Sequence, residues 1–208
     1  MARPSVTQPW GLQWGRSAPY RGIRSEIFRW ACAAGLRLAG WKITGDWPPQ
    51  PRAVLVAAPH TSNWDAVLML AAAGYYRITL RWMGKESLTR GPFGWAVRAV
   101  GIVPIDRSAR HDVVRAMCET FAANTNLLLA VPPEGTRDLT RTWKSGFYHI
   151  AHQAGVPIFL TVLDYSTHTM RMSGVFTTTG DYAADLEAIQ LHYRGAEGRH
   201  RTKFTAEA

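Results

Sequence analysis

Cysteine is scarce in this chain: Cys32 and Cys118 are the two among 208 residues, and both sit in apolar, helix-like surroundings. So few exclude a disulfide framework and a cysteine-rich metal site, and they favour a reducing compartment. A bilayer-spanning stretch is missing as well, since a helical span needs about 20 mostly apolar residues. Ala66–Tyr76 is too short, and Ser145–Leu163, although free of Asp, Glu, Lys and Arg, is interrupted by His149, His152, Gln153, Gly155 and Pro157. Met1–Trp14 lacks the apolar core of a secretory signal. There is no Gly-x-Ser-x-Gly elbow of a serine hydrolase. Internal repeats, low-complexity tracts, zinc-ligand spacing, a helix-turn-helix pattern and an aromatic RNA-binding motif are all absent, so nucleic acid is not an expected partner.

What is present is an ordinary globular composition, 47% hydrophobic, with a net charge of +9 that is unevenly placed. Residues 1–52 hold eight Lys/Arg against two Asp/Glu, and five of the nine tryptophans: Trp10, Trp14, Trp30, Trp41 and Trp47. Arginine mixed with tryptophan suits an anionic lipid surface, where indole sits at headgroup depth and the cation meets phosphate. The expected location is the cytoplasmic side, peripherally associated with a membrane. Residues 1–50 read as this basic anchor, residues 51–194 as the folded domain, and residues 195–208 as a polar, frayed tail.

Periodicity supplies the elements. Ile23, Ile27, Ala31, Ala34 and Leu38 mark one face of an amphipathic helix over residues 22–39 that either lies on a membrane or packs on the domain. Pro48, Pro49 and Pro51 then break the chain. The continuous apolar run Ala53–Ala58 reads as a buried strand and Leu127–Val131 as another apolar strand, with further strands at Arg77–Met83, Ile102–Ile105, Pro157–Leu163 and Met170–Thr177. Helices are predicted at Ala66–Ala73, Pro92–Val100, His111–Ala123, Gly146–Ala154 and Tyr182–Tyr193. This alternation predicts a single α/β domain, a mixed, largely parallel sheet flanked by helices, with ligands beyond the carboxyl ends of the strands.

Two motifs follow strands. In His60-Thr61-Ser62-Asn63-Trp64-Asp65 the imidazole and carboxylate are five residues apart, about 140° on a regular helix, so they meet only if His60 precedes the helix and Asp65 lies in its first turn. Pro59 and a Ser62 or Asn63 cap place the boundary there. Asp65 then accepts the imidazole N–H and steadies a general base; a plain helix-start cap is the alternative. In Pro133-Glu134-Gly135-Thr136-Arg137 a close-approach glycine, a hydroxyl and a guanidinium fork suit a phosphate. Arg107 and Lys85 are further candidate cations.

His60-x4-Asp65, Gly101-Ile-Val-Pro-Ile-Asp-Arg107, Pro133-Glu-Gly-Thr-Arg137 and Val156-Pro157-Ile158 stand in the order of the four blocks of the glycerolipid acyltransferases. The chain resembles that family, which includes the 1-acylglycerol-3-phosphate acyltransferases, over roughly residues 40–165. Lys85 and Gly146-Phe147 fit the usual surroundings. The resemblance implies that His60 deprotonates the acceptor hydroxyl and Asp65 orients it. It implies that Lys85, Arg107, Glu134, Gly135, Thr136 and Arg137 hold a lysophospholipid acceptor. It further implies an acyl-CoA or acyl carrier protein donor, with no metal, no cofactor and no acyl-enzyme. Members of the family grip the membrane through N-terminal helices. Three departures stand out. Pro104 and Pro132 occupy positions where the family has aromatics, and Phe159-Leu160 follow the fourth block where it has a second proline. Other readings are a different lysolipid, glycolipid or amine acceptor, or a non-catalytic lipid-binding module. His111, His149, His152, His168, His192 and His200 match nothing and read as structural or exposed.

Overall fold

The computed structural model describes residues 22–85, 101–105, 110–140 and 142–204. Its elements are α1 (Ile23–Leu38), β1 (Lys42–Thr44), β2 (Arg52–Ala58), α2 (Trp64–Tyr76), β3 (Leu80–Lys85), β4 (Ile102–Ile105), α3 (Arg110–Ala123), β5 (Leu127–Val131), α4 (Gly146–Ala154), β6 (Ile158–Asp164), β7 (Thr169–Phe176) and α5 (Tyr182–Leu191), then a short 3₁₀ turn at Arg201–Lys203. The helix expected at Pro92–Val100 lies outside the described residues.

The strands join in the order β1-β7-β6-β2-β5-β3-β4, parallel except for the β6–β7 pair. Strand β2 is central and apolar on both faces, so successive residues feed opposite cores. Val54 and Val56 pack with Met117, Phe121, Phe147, Ile150 and Ile189 from α3, α4 and α5. Ala53 and Leu55 pack with Leu68, Met69, Ala72 and Tyr76 from α2 and Leu36 from α1. The result is helices on both faces of one sheet, as the alternation predicts.

Three expectations about the ends of the chain change. The segment read as an anchor contributes β1 to the sheet, paired in parallel with β7 from Lys42↔Thr169 to Thr44↔Arg171. Trp41 and Trp47 are core residues, Trp47 lying against Tyr76 and Phe159 at 5.4 and 5.5 Å between ring centres. An indole that finds this much carbon to bury goes inward, so neither serves at headgroup depth. Trp10 and Trp14 lie outside the described residues, and Trp30 is exposed. The chain after Gly195 is not frayed up to Phe204: Tyr165 N–H donates to Glu197 O at 2.9 Å, and His200 N–H to Thr61 Oγ1 at 3.2 Å.

Helix α1 sits on α2 with the face opposite its apolar stripe. Gly74 brings the helices so close that a Cβ there would meet Cys32 Sγ at 2.4 Å. Arg29 is buried on that face and bonds Glu26 at 3.1 Å, which also reaches Arg77 at 2.7 Å. The stripe itself faces solvent, Ile23 being 71%, Ile27 64% and Leu38 89% exposed. Among the described residues no helix is long and apolar enough to cross a membrane.

Behind the sheet, Asp185 accepts from Tyr148 Oη at 2.7 Å, Thr179 N at 2.7 Å and Thr179 Oγ1 at 2.9 Å, locking α4 to α5. Burial pushes this carboxyl up, but those donors outweigh it and hold it below the ordinary value. A lowered folded value stabilises above the ordinary range near about 4 and is lost as pH falls through it. Asp185→Ala is expected to cost about 2–3 kcal/mol at pH 7, with the gap from wild type narrowing in thermal melts below about pH 4.

Candidate active site

Parallel strands β2 and β5 are neighbours, with Val56 opposite Val131, so the loops leaving their carboxyl ends emerge side by side. The first carries His60 and the second Glu134-Gly135-Thr136-Arg137. Residues 74 apart in sequence therefore touch: His60 N–H donates to Glu134 Oε1 at 2.9 Å.

Asp65 lies in the first turn of α2, as the spacing requires, and is 2% exposed. Its Oδ2 accepts Thr61 N–H at 2.8 Å and Ser62 N–H at 2.9 Å, in the manner of a first-turn acid reaching back to free amides. Ser62 Oγ, rather than Asn63, takes Trp64 N–H at 3.2 Å. The same Asp65 oxygen stands 3.2 Å from His60 Nδ1. A carboxylate there fixes the proton on Nδ1 and leaves Nε2 as the base. Burial pushes the Asp65 carboxyl up. Hydrogen bonds from His60, Tyr165 and Ser62, with the imidazole charge, outweigh it and hold the group below the ordinary value. The carboxylate both caps the helix start and bonds the imidazole, so the cap does not exclude the contact a base would need.

The pair opens on a cavity of about 550 Å³. Its polar end carries His60, Gly135, Thr136 and Arg137; its apolar walls include Met69, Leu70, Trp82, Met83, Ile102 and Leu163. Gly135 has φ +65, and a Cβ there would lie 2.6–2.9 Å from Lys144 Cδ, Cε and Nζ. The left-handed φ is what favours glycine there, and the flexible end of Lys144 crosses the turn beside it. Lys144, held by its N–H to Pro133 O at 2.8 Å, is a cation the sequence reading missed; its signal was its place just before Gly146-Phe147.

The other expected residues divide. Glu134 is 2% exposed and is not among the cavity-lining residues: its Oε1 is turned to the His60 loop rather than into the cavity. Its strand places it behind the His60 loop, where it grips that loop. Lys85 closes β3 in register with Ile105, but its side chain lies outside the described residues, as does Arg107. The remaining described histidines keep structural or exposed places: His192 Nδ1 bonds Ser173 Oγ at 2.8 Å, His152 Nδ1 bonds Thr178 Oγ1 at 3.0 Å, and His168 lies edge-on to Trp41. Among the described residues no three His, Cys, Asp or Glu side chains gather to hold a metal ion.

A proton acceptor at the polar end of an apolar cleft suits enzymes that transfer a group between substrates with long apolar parts. The family model for acyltransferases matches residues 42–163, and the chain belongs to that family. The fold is similar to that of the 1-acyl-sn-glycerophosphate (LPA) acyltransferase PlsC from Thermotoga maritima, with a TM-score of 0.57 at 16% sequence identity over 82% of this chain and 77% of that one. No curated protein matches the chain in sequence.

Burial pushes the Glu134 carboxyl up to about 6 against the N–H donors around it. A folded value above the ordinary one means that the ionised form opposes folding: stability is greatest below about pH 4.5 and falls as pH rises through 6, by on the order of 2 kcal/mol. Glu134→Gln keeps an acceptor for His60 N–H and removes the charge. Its Tm is expected to equal or exceed that of wild type at pH 8 and to lose that margin at pH 4.5; a variant less stable than wild type at pH 8 contradicts this account.

Proposed function

We propose that this acyltransferase moves a fatty acyl group from a thioester, acyl-CoA or acyl carrier protein, to the hydroxyl of a lysophospholipid such as 1-acylglycerol-3-phosphate. The observation that carries the reading is that the His60–Asp65 pair and the Gly135–Arg137 turn face one apolar cavity. His60 Nε2 takes the acceptor hydroxyl proton while the oxygen attacks the thioester carbonyl. The tetrahedral intermediate expels the thiolate, which recovers the proton from the imidazolium that Asp65 stabilises. Arg137, Thr136 and the amides of the turn hold the phosphate. Met69, Trp82, Met83 and Leu163 give an acyl chain its apolar surroundings.

The acceptor has a second reading. Pro132 lines the cavity where the family has an aromatic, which favours a panel of lysolipid, glycolipid and amine acceptors over one. The test is thiol release from a series of acyl-CoAs and acyl carrier proteins, with each acceptor, on wild type, His60→Ala and Arg137→Ala. Release should need both acceptor and His60, with His60→Ala down at least about a thousandfold. Arg137→Ala should raise KM for phosphorylated acceptors selectively. Near wild-type turnover in His60→Ala would sink the mechanism.

The enzyme works from the surface of an anionic bilayer on the cytoplasmic side. Supporting this, α1 exposes Ile23, Ile27, Phe28, Trp30 and Leu38, and α2, packed against it, exposes Trp64, Val67 and Leu70. Leu70 is both exposed and part of the cavity lining. Arg199 lies over the Trp64 ring at 5.4 Å and adds a cation. Changing Ile23, Ile27 and Leu38 together to Glu should reduce cosedimentation with phosphatidylglycerol-containing vesicles about tenfold or more. Undiminished binding would refute the surface.

A further inference from the structure

Tyr165 belongs to none of the four blocks, and the family match ends at residue 163. Strand β6 runs parallel to β2 with Val162 opposite Ala58, so the residues just after Asp164 emerge at the same sheet edge as His60, on the side away from β5. From there Tyr165 Oη donates to Asp65 Oδ1 at 2.6 Å, across 100 residues of sequence. That is the oxygen His60 does not use. Oδ2 takes His60 Nδ1, Thr61 N and Ser62 N; Oδ1 takes Tyr165. A carboxylate torsion is broad and roughly two-fold. A donor on each oxygen fixes its plane, and with it the acceptor that His60 Nδ1–H meets.

The tyrosine is itself firmly held. Its ring stands edge-on to buried Trp41, with centroids 4.8 Å apart, and its N–H bonds Glu197 O at 2.9 Å. Burial and the Asp65 carboxylate push its hydroxyl well above the ordinary tyrosine value, so it stays a proton donor. Its ring lines a different cavity, between α1 and α2, of about 650 Å³, and not the one beside His60. It therefore acts on Asp65 from behind.

We propose that Tyr165 is a positioning residue of the base: its hydroxyl pins Asp65 Oδ1 and so keeps Oδ2 on His60 Nδ1–H, leaving Nε2 unprotonated toward the acceptor. The proposal rests on His60 as the base. If the hydroxyl merely tied the β6–β7 turn to α2, it would act on stability alone.

The test is Tyr165→Phe, which keeps the ring and removes only the donor. Two readouts are taken on the full chain. One is kcat and KM for donor and acceptor. The other is the pair of His60 imidazole ¹⁵N shifts at about pH 9, above the ordinary histidine range, assigned by their absence in His60→Gln. The expected result is a fall in kcat of about tenfold with both KM values within about twofold. The two nitrogen shifts should also move toward each other as the tautomers mix. With an active wild type, a folded Tyr165→Phe that leaves either kcat or the shifts unchanged overturns the proposal, whatever its Tm. If the wild type transfers no acyl group to any acceptor, the functional reading fails and the shifts alone decide: moved, they uphold the Tyr165 link; unmoved, they overturn it.

Discussion

A buried carboxylate must be surrounded by donors or it will not stay charged, and Asp65 is the buried carboxylate around which this site is assembled. It sits in the first turn of α2, where the helix dipole favours negative charge. Two amides, an imidazole and a phenol supply its hydrogen bonds. Those partners are also what shapes the loop between β2 and α2. The contacts that keep the charge in the protein interior therefore hold the imidazole in place. Removing one partner leaves part of the charge uncompensated, so the loop and the His60 imidazole are stable or unstable together.

Sheet order extends this constraint outward. Central β2 has β5 on one side and β6 on the other, all parallel, so three loops leave one edge together. The middle loop carries His60. Glu134 grips its backbone from the β5 side, and Tyr165 fixes its carboxylate partner from the β6 side. The turn after Glu134 faces the cavity with Gly135, Thr136 and Arg137 while Glu134 itself faces inward. One short motif thus splits into a half that supports the His60 loop and a half that faces the cavity. Helix α2 joins this site to the exterior: its first turn holds Asp65, its buried side the core, and its outer side exposes Trp64, Val67 and Leu70.

Much of this was legible in the chain. Apolar runs such as Ala53–Ala58 and Leu127–Val131 are unambiguous because strands buried on both faces need carbon at every position. The His60/Asp65 spacing was legible because a helix start is a local event. The tryptophans were not: nothing local distinguishes Trp30, which is exposed, from Trp41 and Trp47, which fill the core. The apolar stripe of α1 was read correctly as a stripe, but its direction depended on Gly74, which admits α1 on its opposite side. Glu134 reads as a ligand in the sequence because it stands beside a glycine, a hydroxyl and a guanidinium suited to a phosphate, and only the path of β5 turns it inward onto the His60 loop.

The sequence by itself determined the elements, their α/β alternation, and the chemistry available at each strand end, because these follow from periodicity, caps and side-chain type within a few residues. The tertiary structure alone decided which groups share a carboxylate and which face a cavity. Tyr165 and Asp65 are 100 residues apart and carry no mutual signal in the chain. Their meeting follows from β6 lying beside β2, and strand order is a long-range choice, set by how two apolar sheet faces are covered at once.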